Sequence, residues 1–176
     1  SRVEPQKELR EKVLRLKSLI AQPSSAVISK TDFIPFEDLK KFVEKREILR
    51  ALLKSPGRRG ETAALLGITR MGLWKKLRTY GILLREGSEV APQVRDILRE
   101  EFDETIEDVD QITITPLPRL REKGGELYKL IQGQMLLALR LYKGNVPASS
   151  KVLKISSVTF YAMCKTYDIP LRDISA

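Results

Sequence analysis

The stretch ETAALLGITRMGLWKKLRTYGI, residues 61–82, decides how the chain is read. It holds two short helical patterns. The first, about Glu61 to Leu66, stops at Gly67, a residue that enters the left-handed conformation without steric cost and so ends helices. The second opens at Thr69, whose hydroxyl suits an N-cap, and runs to Tyr80 before Gly81. Ala63 and Ala64 are small enough for close packing by the second helix. Leu65, Leu66, Ile68, Leu73 and Leu77 supply a shared core. Two turns of helix, a tight turn and a second helix make a helix-turn-helix pattern.

Upstream, Pro35 opens a longer pattern in which Leu39, Phe42, Val43, Ile48, Leu49, Leu52 and Leu53 form an apolar stripe, ended by Ser55-Pro56-Gly57. Before it, Leu9, Val13, Leu16 and Ile20 predict one amphipathic helix from Glu4 to Ala21, stopped by Pro23-Ser24-Ser25. Residues 22–35 read as a connector. Downstream, Val94, Ile97, Leu98 and Phe102 mark a helix within an acidic stretch. Gln111 to Thr115 has β-branched alternation closed by Pro116 and Pro118, and reads as an extended linker. After Gly124-Gly125 a helical pattern runs from Leu127 to Leu141, Gly144 ends it, and a further helix pair follows, with Asn145 as an N-cap.

Sliding the sequence on itself by 87 residues aligns Leu49 with Leu136, Gly57 with Gly144, Ile68 with Ile155, Thr69 with Ser156, Tyr80 with Tyr167 and Arg85 with Arg172. The agreement sits at apolar and turn positions, as it does when two segments fold alike and differ at the surface. Ser149, Val152, Leu153, Ile155, Phe160 and Cys164 then form the second core. Cys164 aligns with Leu77 and reads as a buried thiol.

The 176 residues are 42% apolar, which suffices for a core, and 32 Lys and Arg against 23 Asp and Glu give a formal charge of +9. That charge is uneven: +1 over residues 1–39, +10 over 40–85, −7 over 86–126 and +5 over 127–176. Two basic blocks around an acidic one suggest like-charged modules joined by a connector, with an anionic partner as the first to test. The acidic block, residues 86–110, reads by default as a spacer that repels DNA, the other reading being an electrostatic partner for the basic helices that suppresses non-specific binding. No histidine occurs, which excludes Ser-His-Asp and Cys-His nucleophiles and zinc sites built on His, and one cysteine cannot close an internal disulfide. A reduced intracellular setting fits, and no run of about 18 apolar residues suggests a membrane span. Asp103, Glu104, Glu107 and Asp108 could be metal ligands of a nucleic-acid enzyme, but consecutive acids on a helix are ordinarily solvated, and no phosphate-binding glycine motif accompanies them. No catalytic residue, metal or cofactor is therefore expected.

Residues 61–82 closely resemble the Fis-type helix-turn-helix found in the factor for inversion stimulation and at the C-terminus of bacterial enhancer-binding activators. Gly144-Asn145-Val146 through Tyr167-Asp168-Ile169 resembles it less closely. The resemblance implies an all-α chain with two helix-turn-helix units of Fis type, joined by the acidic helix and linker, and each unit a module normally paired through the long helix before the motif. The expected divisions are 1–35, 36–86, 87–123 and 124–176. Carried over by position, Thr69, Arg70, Gly72, Trp74, Lys75, Lys76 and Arg78 stand on or near the DNA side of the first unit. Ser156, Ser157, Thr159, Tyr161 and Lys165 do so in the second, where Ala162 and Met163 replace the usual basic pair and Asp168 the turn glycine.

A recognition helix puts its N-terminal residues at base edges while surrounding cations neutralise phosphates. Arg70 is the base-reading candidate, through guanine O6 and N7. Arg58, Arg59, Lys75, Lys76 and Arg78 supply the salt-dependent attraction. Trp74, beside the inward Leu73 and Leu77, reads as a core anchor ahead of a contact to the DNA backbone. The expected function is a DNA-binding transcription regulator acting on double-stranded DNA in the cytoplasm, on the nucleoid, without enzymatic activity. Two units in one chain could form a pseudo-dimer reaching grooves about 34 Å apart, and a homodimer is the other arrangement. An architectural DNA-bending protein, or an adaptor whose second unit binds protein, are the alternatives.

Overall fold

The computed structural model describes residues 3–24, 27–85 and 89–171; Ser25 and Arg172, named above, lie outside them. All regular structure among these residues is helical: α1 (Val3–Ala21), α2 (Phe36–Lys54), α3 (Arg59–Leu65), α4 (Arg70–Thr79), α5 (Val90–Phe102), α6 (Glu126–Leu141), α7 (Val146–Val152) and α8 (Ser157–Thr166), with 3₁₀ turns at Lys30–Asp32, Val109–Gln111 and Leu117–Leu120. None of the helices is long and apolar enough to cross a membrane. The chain divides into two compact units, residues 1–10 with 41–120, and residues 11–40 with 121–176.

In the first unit α2 is the central element. Val43, Ile48, Leu49, Ala51, Leu52 and Leu53 are buried, and so are the charged residues Glu44, Lys45, Arg46 and Glu47. A run of four buried charges requires partners, because an isolated buried charge is expensive. Lys76 Nζ lies 2.8 Å from Glu44 Oε1, Lys45 Nζ 2.7 Å from Glu101 Oε2, and Arg50 Nη1 3.1 Å from Glu47 Oε1.

These partners correct the spacer reading of the acidic block. Glu101 and Glu104 are counter-ions of α2, and Phe102 packs against Phe42 with ring centroids 4.9 Å apart. The segment read as an extended linker also lies along α2. Lys54 Nζ donates to the Ile112 carbonyl at 2.6 Å, and Thr115 N to Glu47 Oε2 at 3.2 Å. Sequence patterning registered the acids and the Pro-bounded run, but not the buried cations they neutralise. As for the acids weighed as metal ligands, Glu104 holds Arg50, and Asp108 caps the turn at Val109–Gln111. Among the described residues no cluster of His, Cys, Asp and Glu is placed to hold a metal ion.

In the second unit α6 is the buried helix, with Leu127, Leu130, Ile131, Met135, Leu137, Ala138 and Leu139 in the core. The buried Gln134 side chain accepts from Ile34 N at 2.8 Å and donates to Ile34 O at 2.7 Å, which satisfies both backbone groups of that buried residue. That bidentate link fastens the connector before α2 to α6.

Candidate nucleic-acid interface

The turn between α3 and α4 is specified residue by residue. Thr62, fully buried, donates or accepts at Ser55 Oγ (2.7 Å) and bonds the Arg58 carbonyl at 3.0 Å. Ala63 and Leu66 are buried, while Ala64 is exposed, so only the first of the two alanines serves the close packing expected of both. Gly67 takes φ +65°, and Ile68 N donates to Ala63 O at 3.0 Å, the closure of a left-handed helix end. A side chain at Gly67 would also meet Pro116 at 3.1 Å, and Leu117 N donates to Leu66 O at 2.9 Å. Thr69 Oγ1 then accepts from Gly72 N at 2.9 Å, so Gly72 serves the cap through its backbone and presents no side chain outward.

With Leu73 fixed in the core, α4 turns one face to solvent. At about 100° per residue, Arg70, Met71, Trp74, Lys75 and Arg78 fall on one arc, and all five are exposed. Trp74 is 52% exposed, which overturns its reading as a core anchor. Leu73 and Leu77 already fill the inward direction, and the indole lies under the Arg78 guanidinium at 4.8 Å from the ring centroid. Lys76 turns the other way, to Glu44 and over the Tyr80 ring, and Tyr80 Oη donates to the same carboxylate. Arg59, Arg70, Met71, Leu73, Trp74 and Leu77 line an open groove of about 440 Å³. Arg59 Nη1 is buried there with no hydrogen-bond partner among the described residues. Arg58 is exposed and pairs with Glu61 at 3.4 Å, a solvated contact of little energetic weight.

The α6–α8 segment repeats these features 87 residues on. Helix α7 has the bounds of α3, and α8 those of α4, each displaced by that number. Gly57, Gly67 and Gly81 have positive φ, and so do their counterparts Gly144, Lys154 and Asp168. Asn145 Oδ1 accepts from Ala148 N and Ser156 Oγ from Thr159 N. Phe160 and Cys164 are buried, and burial raises the Cys164 thiol above its ordinary pKa. Thr159, Tyr161 and Lys165 are exposed and Ser157 is half-buried. Val158, at the place of Met71, is 80% exposed. Sequence reasoning missed both Met71 and Val158, although the 87-residue shift superimposes them.

The Asp168 turn carries a further link. Tyr128 Oη donates to Asp168 Oδ2 at 2.8 Å and Lys123 Nζ lies 3.3 Å from the same oxygen. The Tyr128 hydrogen bond, then Lys123, holds the carboxyl below the usual range, and the bond to Asp168 raises the phenol.

Residues 41–80, from α2 to the end of α4, match the model of the Fis family of bacterial regulatory proteins. This stretch of the chain is therefore similar to a DNA-binding helix-turn-helix, and the similarity points to a DNA-binding regulator. Residues 124–176 stand outside the match. No curated protein and no solved structure matches the chain.

Proposed function

We propose that the chain is a sequence-specific DNA-binding transcription regulator with tandem helix-turn-helix units, residues 36–86 and 124–176, that place α4 and α8 in the major groove of double-stranded DNA. The observation that carries this reading is the solvent-facing arc of α4, where Arg70, Lys75 and Arg78 flank one face of a helix whose first turn is capped by Thr69. Arg70, in that first turn, is at the depth of base edges, and Lys75 and Arg78 lie where phosphates pass. Support for the second unit comes from the shared element bounds and left-handed positions. The chain's own acidic segment pairs with Lys45 and Arg50 of α2, and a homodimer is the other arrangement. No catalytic step or cofactor enters this reading, and its setting is the cytoplasm, on the nucleoid.

The test is selection of duplexes from a randomised pool, followed by titration of the selected duplex and an unrelated one at several salt concentrations. A steep salt dependence with a clear preference supports a regulator. Steep dependence without preference replaces it with an architectural role, and absence of binding at low salt overturns both. Arg70→Ala should relax sequence choice more than it lowers affinity, and an unchanged selected profile would remove its base-reading role.

The adaptor reading draws on α8, whose exposed arc has Lys165 as its cation beside Val158, Tyr161 and Ala162. If α8 meets protein, substitutions there will leave duplex affinity untouched.

A further inference from the structure

Exposed large apolar side chains gather at one register of the two second helices. Met71 is 61% and Trp74 52% exposed on α4, and Val158 is 80% and Tyr161 53% exposed on α8. Each pair is spaced i, i+3 and shares a helix face. On α4 the pair lies in the groove of about 440 Å³ that Leu73, Leu77, Arg59 and Arg70 also line. The Arg78 guanidinium lies over the Trp74 ring, 4.8 Å from its centroid.

An apolar strip between cations is suited to a polyanion that carries apolar groups between its charges. In the major groove of a duplex, the apolar group that base edges present is the C5-methyl of thymine. Met71 follows Arg70 in the first turn, where a recognition helix reaches deepest, and Trp74 stands one turn further along the same face.

We infer that Met71 and Trp74 read thymine methyl groups beside the base that Arg70 reads, and that Val158 and Tyr161 do the same from α8. This rests on the DNA-binding reading above. Guanidinium and ammonium groups alone would make a site chosen by guanine and phosphate. The apolar pair adds a preference for methylated pyrimidine edges.

The experiment uses the unmodified chain and a duplex obtained by selection, with each thymine replaced in turn by deoxyuridine, which removes the methyl and leaves pairing intact. Anisotropy titrations should show about a fourfold loss at one or two thymines, the size of one buried methyl, and no change at the others. Because no phosphate contact is lost, the salt slope should stay the same. Replacing the same bases by cytosine and then 5-methylcytosine should recover affinity on methylation. Met71→Ala and Trp74→Ala, at exposed positions, should erase the thymine-to-uracil difference at the α4 contact. Equal affinity for all uracil-substituted duplexes, with duplex binding intact, overturns methyl reading and leaves the DNA-binding function standing. A chain that binds no duplex in dilute buffer overturns both. A difference that vanishes in Tyr161→Ala is the α8 contact; if no thymine loses its uracil sensitivity in Met71→Ala or Trp74→Ala, the assignment to α4 is overturned.

Discussion

Arg50 Nε donates to Glu104 Oε1 at 2.7 Å, tying the middle of α2 to the turn just past α5. A turn earlier on α2, Lys45, only 6% exposed in its side chain, faces Glu101. Glu101→Gln leaves that ammonium buried without a counter-ion and is expected to cost about 3 kcal/mol. Arg50 is more open and keeps Glu47, so Glu104→Gln should cost about 1 kcal/mol or less. Urea unfolding of the two variants checks the order. Equal losses would mean that exposure does not govern these pairs.

The positions legible in the sequence are those where local chemistry decides conformation. Gly67, Gly81, Thr69, Asn145 and Ser156 were readable because a left-handed residue or a capping hydroxyl acts within three or four residues of itself. The acidic block is legible only as far as the alternative of an electrostatic partner for basic helices; which cations it meets depends on α2 some fifty positions earlier, as with Lys45 and Glu101. Trp74 differs from its sequence reading because apolar character alone does not say which side of a helix faces the core. Only the full arc from Arg70 to Arg78 settles that. Lys75 and Lys76 looked alike for the same reason.

Gly133, inside α6, has a packing explanation. A Cβ there would lie 2.5 Å from Ile20 Cδ1 and 2.6 Å from Cγ1, so the helix interior gives up alanine's greater propensity for contact with α1. Gly133→Ala should therefore destabilise the second unit by about 1–3 kcal/mol, the usual range for overpacking. Adding Ile20→Ala should recover part of that loss, giving a double variant more stable than the sum of the singles. A stabilised Gly133→Ala would rule the contact out.

Tyr128 and Asp168 set a pH window for the same unit. The carboxyl is held below its ordinary value by the Tyr128 hydroxyl first and Lys123 second. Its stabilising contribution is therefore full above about pH 4, the unfolded value, and is lost as pH falls through the lower folded value. The phenol is raised by the same bond, so its contribution is full below about pH 10 and is lost as pH climbs through the folded value. Tyr128→Phe should move the Asp168 carboxyl upward in an NMR titration and flatten the pH dependence of Tm at the acid end. An unmoved carboxyl would assign the depression to Lys123. That residue is 81% exposed, so its share should fade with added salt.

Lys75 and Lys76 are neighbours in sequence with opposite duties. Lys75 is exposed on the arc with Arg70 and Arg78, whereas Lys76 is held by Glu44 on the buried helix α2. If Lys75 neutralises one phosphate, Lys75→Ala should lower the slope of log affinity against log salt by about 0.9 and leave unfolding unchanged. Lys76→Ala should do the reverse. It strands the Glu44 carboxylate, which keeps Tyr80 as a donor, and so reduces stability while the salt slope stays near that of the parent. Measuring slope and urea midpoint on both variants separates the roles. A slope change confined to Lys76→Ala would place the phosphate on the opposite side of α4, and the arc from Arg70 to Arg78 would no longer be the DNA face.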